Sequence, residues 1–205
     1  MEVDFIFSIV ILIMSVVVHE VSHGYTAYLF GDPTAKLAGR LTLNPFKHLD
    51  LQGSLIIPAI AYYFTGFIFG WAKPVPYNPY NLKNAKVGEP MVALAGPLSN
   101  FLVAIIFGVL IRFSGELGLA SDSFIKATGM IVLINLVLGL FNLIPIPPLD
   151  GSKVLFGILP HNLIKVRYFL EKNYIWLILF FIFFLWKFLT PVISLLFFLI
   201  TGVGL

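Results

Sequence analysis

The chain has 205 residues, is 59% hydrophobic and only 11% charged, and its mean hydropathy is +0.97. Soluble domains are roughly a quarter charged, so this composition excludes a soluble module of any size and requires an integral membrane protein of one compact domain, 1–205. The net charge of +3 comes from basic residues scattered over loops between apolar runs, which reports membrane topology and no nucleic-acid partner, while the absence of cysteine leaves only histidine and carboxylate to hold a metal.

The first predicted element runs from Val3 to Phe30. Phe5 to Val18 carries no charge, is apolar apart from Ser8 and Ser15, and leads straight into His19-Glu20-Val21-Ser22-His23. It has no basic opening and no small-residue cleavage site before the motif, so it is expected to be a retained helix and not a removable signal. Residues four apart share a helix face, so His19 and His23 can aim two imidazoles at one point with Glu20 beside them. That is the H-E-x-x-H geometry of a zinc hydrolase, with two ligands and a general base. The alternative is a chance match, with the histidines satisfied inside a bundle. It must meet the several kcal/mol that such groups cost at membrane depth when neither paired nor ligated. At 1.5 Å per residue, His19 lies roughly 20 Å along a hydrocarbon core of about 30 Å, close to its far side. Gly31-Asp32-Pro33 reads as the stop.

Thr34 to Ser54 carries Lys36, Arg40 and Lys47, and Arg40 to Pro45 reads as a short alternating strand closed by a turn. The apolar run Leu55 to Trp71 is followed by Lys73, Lys83 and Lys86, so it is expected to begin and end on one side as a re-entrant segment. Pro58, Gly66 and Gly70 permit the bends, and a true span is the other option. Met91 to Leu110 is the next predicted span, introduced by Ala95-Gly96-Pro97-Leu98-Ser99-Asn100, whose small residues allow close helix contact. Arg112 to Lys126 is the predicted outer loop. Ile131 to Leu149 then returns inward and delivers Asp150-Gly151. Tyr174 to Leu205 is apolar but broken at Lys187 and Thr190-Pro191, giving one kinked helix or two short ones. On this topology ten of the thirteen Lys and Arg face the cytoplasm and the N-terminus lies outside. The fold class is therefore an α-helical polytopic membrane protein: about four to six membrane segments with a short β-hairpin-like or re-entrant insertion after the first helix.

A catalytic zinc takes three protein ligands and keeps a position open. The candidates for the third are Asp150, His48, His161, Asp50 and Asp32. Asp150 stands first, because it ends an apolar returning segment where an unpaired carboxylate is costly, and the prolines before it loosen the backbone. Its other reading is a cap on a helix that starts near Gly151. His48 reads as a loop histidine, with a metal ligand as its other reading and a role supporting the ligands between the two, and His161 reads as interfacial. Asn142 offers an amide to a substrate backbone or an oxyanion, or else an interhelix bond, whereas Asn100 and Asn135 read as structural only.

Together these stretches resemble the site-2 protease family of intramembrane zinc metalloproteases. The resemblance rests on His19-Glu20-Val21-Ser22-His23, Ala95 to Asn100, and Asn142-Leu143-Ile144-Pro145-Ile146-Pro147-Pro148-Leu149-Asp150-Gly151, which is similar to the family's N-x-x-P-x-x-x-x-D-G signature. Gly39 to Pro45 with His48 and Asp50, and Trp71 to Pro76, are also similar. The resemblance implies His19, His23 and Asp150 as ligands of one zinc ion per chain, Glu20 as base, Asn142 as a substrate-binding residue, and an active site open towards the cytoplasm. The sequence shows no PDZ or CBS module of the kind some relatives carry, so a compact member is expected, and compactness together with the resemblance places it in the plasma membrane of a prokaryote.

The function expected from all this is hydrolysis of a peptide bond within or beside a transmembrane segment of a protein substrate held in the lipid bilayer, as in regulated intramembrane proteolysis. The rival is a transporter or metal-binding membrane protein that uses the same residues as an ion site. A transporter would show inverted repeats and polar residues spread through both halves, and the sequence shows neither.

Overall fold

The computed structural model describes residues 2–48, 50, 56, 73–160, 163–181, 183 and 186–205. Among them are seven α-helices: α1 (Glu2–Leu29), α2 (Thr34–Leu37), α3 (Ala85–Arg112), α4 (Asp122–Asn142), α5 (Asp150–Ile158), α6 (Ile164–Phe180) and α7 (Trp186–Thr201). Two single 3-10 turns, Pro45–Lys47 and Pro79–Asn81, sit in the connections.

Helices α1, α3 and α4 are long and apolar enough to cross a membrane, and no more than a third of each spanning window is buried within the protein. The rest of their surface is left to hydrocarbon, where a helix alone satisfies its backbone. The chain is a membrane protein, and its interior is what these helices turn toward one another. Helix α3 is the hub, packing on α1, α4, α5 and α7. Ala104 and Ile111 of α3 meet Val132 and Leu136 of α4 and Phe197 of α7 in one buried cluster. Ala27 of α1, Leu82 from the turn before α3 and Val92 of α3 form a second cluster, covered by Phe30 and Tyr77.

Local chemistry sets the helix bounds. Asn84 Oδ1 accepts from the Val87 N–H at the start of α3, and Ser121 Oγ accepts from the Phe124 N–H at the start of α4. The Ser121 cap starts a helix inside the stretch that the sequence predicted as a loop to Lys126. At its other end α4 stops at Asn142 instead of continuing to Leu149, because Pro145, Pro147 and Pro148 lack the N–H a helix needs. Helix α7 passes through Pro191 without ending there. In a membrane helix the carbonyl that loses its donor can be satisfied locally.

No strand occurs among the described residues, so the β-hairpin-like insertion is not seen. Arg40 to Asn44 is irregular and leads into the Pro45–Lys47 turn, whose first N–H bond, from Phe46, goes to Asn44 Oδ1. The predicted re-entrant run Leu55 to Trp71 lies outside the described residues except for Ile56.

Beyond α1 the chain folds back over the end of that helix. Gly31 takes φ +103°, and Asp32 is fully buried behind it. Its carboxylate accepts from Thr34 N (3.1 Å) and Thr34 Oγ1, from Asn81 Nδ2 (2.9 Å) and from Asn78 N (2.6 Å). Burial pushes the Asp32 carboxyl up, but these hydrogen bonds outweigh it and hold the group below its ordinary value. Lys83 N adds a bond to Phe30 O at 2.9 Å. The clasp lays the chain from Lys73 onward beside α1, and the Val75 N–H reaches Glu20 in the H-E-x-x-H turn.

Candidate metal centre

His19 and His23 lie one turn apart on the face of α1 turned to α3, and Asp150 is the first residue of α5. All three are buried. The Nε2 atoms of the two histidines are 3.0 Å apart, and Asp150 Oδ2 lies 3.0 Å from His19 Nε2 and 3.1 Å from His23 Nε2. Among the described residues this is the one group of three or more His, Cys, Asp or Glu able to share an ion. A tetrahedral zinc with bonds of about 2 Å spaces its ligand atoms by roughly 3.3 Å, so the three atoms stand near ligand spacing.

The outer ring nitrogens determine what the inner ones carry. His23 Nδ1 lies 2.6 Å from Val92 O, a carbonyl that can only accept, so this nitrogen donates. His19 Nδ1 lies 2.7 Å from Asn100 Oδ1 and likewise donates. In the neutral rings both Nε2 atoms are then bare lone pairs, aimed at each other and at a carboxylate oxygen. A single added proton serves one of these contacts; a cation at their centre serves all three. Two imidazoles and a carboxylate, with each imidazole held from behind by a hydrogen bond, are a donor set that fits zinc and leaves a fourth position open.

The surroundings are shaped for this convergence. A Cβ built on Gly96 would stand 2.5 Å from Nε2 of both His19 and His23, so only glycine lets α3 pass this close to the imidazoles. A Cβ on Gly151 would overlap the carbonyls of Leu143 and Ile144, so the turn that delivers Asp150 is pressed against the end of α4. Asp150 Oδ1 faces Lys153 Nζ at 3.5 Å, which leaves Oδ2 as the inward atom. Glu20, half-buried beside His19, accepts a 2.8 Å hydrogen bond from the Val75 N–H at Oε2.

The remaining candidates stand elsewhere. Asp32 is the clasp described above. His48 is buried, with Nε2 2.8 Å from Thr42 O and its carbonyl accepting from Lys73 N, so it ties two loops and is outside the metal group. Asp50 is also outside that group, and His161 lies outside the described residues. Asn142 donates from Nδ2 to Leu138 O of its own helix at 3.0 Å. Sequence reasoning missed Asn100. It and Asn135 are fully buried, and Asn100 touches His19 directly. The signal was present as two asparagines inside predicted apolar segments, where an amide needs a partner, but the sequence could not name that partner.

The profile of peptidase family M50 matches residues 116–186. The chain is 40% identical over 157 residues to the Bacillus subtilis protein named "Putative zinc metalloprotease YwhC", covering 74% of this chain and 68% of that one. It is 32% identical over 146 residues to "Putative zinc metalloprotease Rip2" of Mycolicibacterium smegmatis, covering 68% of this chain and 52% of the relative. "Zinc metalloprotease MJ0392" of Methanocaldococcus jannaschii is 27% identical over 150 residues, 73% of this chain and 33% of the relative. The chain thus spans about half the length of the mycobacterial relative and a third of the archaeal one. No solved structure matches it. With a 40% identical relative aligned over more than two thirds of both chains, this protein belongs to peptidase family M50, the site-2 protease family.

Proposed function

We propose that the protein is a zinc endopeptidase that cleaves a peptide bond within or next to a transmembrane segment of a membrane-protein substrate, with one zinc per chain held by His19, His23 and Asp150. The observation that carries the proposal is the convergence of two imidazole lone pairs and a carboxylate oxygen beside Glu20. Zinc, when bound, would supply Lewis-acid polarisation of the scissile carbonyl and a water of lowered pKa.

Glu20 is assigned the proton transfers. Val75 N–H engages Oε2, leaving Oε1 to take a proton from the attacking water as its oxygen bonds to the carbonyl carbon. The same carboxyl returns that proton to the amine as the C–N bond breaks. Asn142 ends the helix from which the chain runs to Asp150, and it is assigned a hydrogen bond to the substrate backbone. A helical substrate must unwind locally, since its carbonyls are otherwise occupied. The distribution of loop lysines and arginines supports a site towards the cytoplasm, and the bacterial and archaeal relatives support the plasma membrane of a prokaryote. Participation in regulated intramembrane proteolysis is part of the same proposal.

The test is cleavage of a transmembrane peptide by the full chain in lipid vesicles. Wild-type protein is expected to cut within or beside the apolar segment, and Glu20→Gln to lose activity by at least about 100-fold, the low end of what a positioned acid–base group contributes. Equal cleavage by both would overturn the role of Glu20. Ion transport that survives in Glu20→Gln, without cleavage by either protein, would favour the transporter reading.

A further inference from the structure

We infer that Asn100 is a positioning residue for His19: it dictates which imidazole nitrogen carries the proton, and a relay through Asn135 and Ser15 dictates the orientation of Asn100. This inference rests on the proposed metal site for its consequence, though its geometry stands apart from any ion.

The far end of the relay sets its direction. Asn135 Nδ2 lies 2.9 Å from Ile131 O and 2.9 Å from Ser15 Oγ. A backbone carbonyl can only accept, so the nitrogen side of the Asn135 amide faces it and the oxygen side points away. That oxygen accepts from Asn100 Nδ2 at 2.9 Å. Asn100 Nδ2 also reaches Ser15 O at 3.3 Å, a second carbonyl that tolerates only a donor. Both contacts turn the Asn100 oxygen to His19 Nδ1, at 2.7 Å. An amide oxygen carries no proton, so Nδ1 must supply it, and the unprotonated nitrogen of the neutral ring is Nε2, the atom that faces His23 and Asp150.

Every member of this relay is buried, with Asn100 and Asn135 at 0% exposure, Ser15 at 5% and His19 at 7%. Bulk water therefore has little access to lend a proton to the wrong nitrogen. The relay links α4, α3 and α1, so it would hold helices together whatever its direction, and that is its bland role. What the bland role does not require is a uniform polarity that starts on backbone carbonyls and ends on the one nitrogen of His19 that does not face the site. A histidine in the other tautomer would present an N–H to the metal position. His23 needs no such device, because Val92 O performs the same task from the backbone.

The test uses the full chain in detergent with two readouts. In metal-free protein labelled with 15N-histidine, ring-nitrogen shifts are expected to show His19 protonated at Nδ1 in wild type. Asn100→Leu should shift His19 towards the Nε2-protonated form, and Asn135→Leu, which leaves Ser15 O to orient Asn100, should shift it less. In zinc or cobalt(II) titrations, Asn100→Leu is expected to weaken binding by about 10–100-fold, the usual effect of removing a ligand's hydrogen-bond partner. Asn100→Asp keeps an acceptor for Nδ1 but loses the amide donor that Asn135 Oδ1 and Ser15 O accept from, so it should keep His19 protonated at Nδ1 and weaken binding less than Asn100→Leu does. The inference is overturned if Asn100→Leu keeps the wild-type tautomer and affinity, or if the Leu and Asp variants are weakened equally, as a purely structural role would have it. A wild-type protein that takes up no metal while His19 remains Nδ1-protonated would contradict the metal site and leave the relay standing.

Discussion

A methyl group at position 96 would sit 2.5 Å from the Nε2 atoms of both His19 and His23. Gly96→Ala is therefore expected to fold, since alanine suits a helix, yet to push the imidazoles apart and lose metal; zinc content beside a circular-dichroism spectrum checks both halves. The two histidines and Glu20 were legible in the sequence because a helix turns a spacing into a direction, so H-E-x-x-H states a geometry. Asp150 was legible for a different reason, the cost of a carboxylate at the end of an apolar segment. Asn100 was not. Its sequence neighbours Ser99 and Phe101 say nothing about His19, and the contact exists only because Gly96, one turn earlier, lets α3 lie against α1. The polarity of the Asn100 amide depends in turn on carbonyls from α1 and α4, which no local pattern encodes.

At the scale of elements, the clasp around Asp32 holds the chain from Lys73 to Lys83 over the end of α1 and so brings the Val75 N–H to Glu20. Asp32→Asn loses the charge and one acceptor of this clasp. It is expected to destabilise the protein by on the order of 2–3 kcal/mol, measured as thermal denaturation in detergent. The sign of its pH dependence follows from the lowered carboxyl pKa. A depressed group stabilises the fold fully above its ordinary value and loses that contribution as pH falls through the folded pKa. The stability gap between wild type and Asp32→Asn should thus be flat near neutrality and close in acid below the ordinary carboxylate range. The sequence predicted Gly31-Asp32-Pro33 as a stop and had the right place, but it weighed Asp32 as a possible metal ligand. Only the return of Asn78 and Asn81 shows where the carboxylate is used. The bounds of α4 were misjudged for a related reason. Hydropathy runs on past Asn142, whereas the helix obeys Ser121 at one end and Pro145 at the other. The strand expected at Arg40 to Pro45 rested on alternation alone, and a strand needs a partner to pair with.

For the whole molecule, composition was the surest guide: 11% charged residues and, among the described residues, three apolar helices of 21 or more residues both say membrane. What composition could not give is the arrangement, in which α3 is the hub and the metal group sits where α1, α3 and the start of α5 meet. An ion at that junction links elements that are far apart in sequence, so metal should stabilise the whole fold by mass action. A chelator is expected to lower the denaturation temperature of wild-type protein and to leave that of Asp150→Ala unchanged; equal shifts in both would place the ion elsewhere. The most direct measurement is the zinc content of purified wild-type protein beside Glu20→Gln, His23→Ala and Asp150→Ala. Near-stoichiometric zinc in the first two and its loss from the last two is the expected result. Zinc retained by Asp150→Ala, or absent from wild-type protein loaded at neutral pH, would contradict the site.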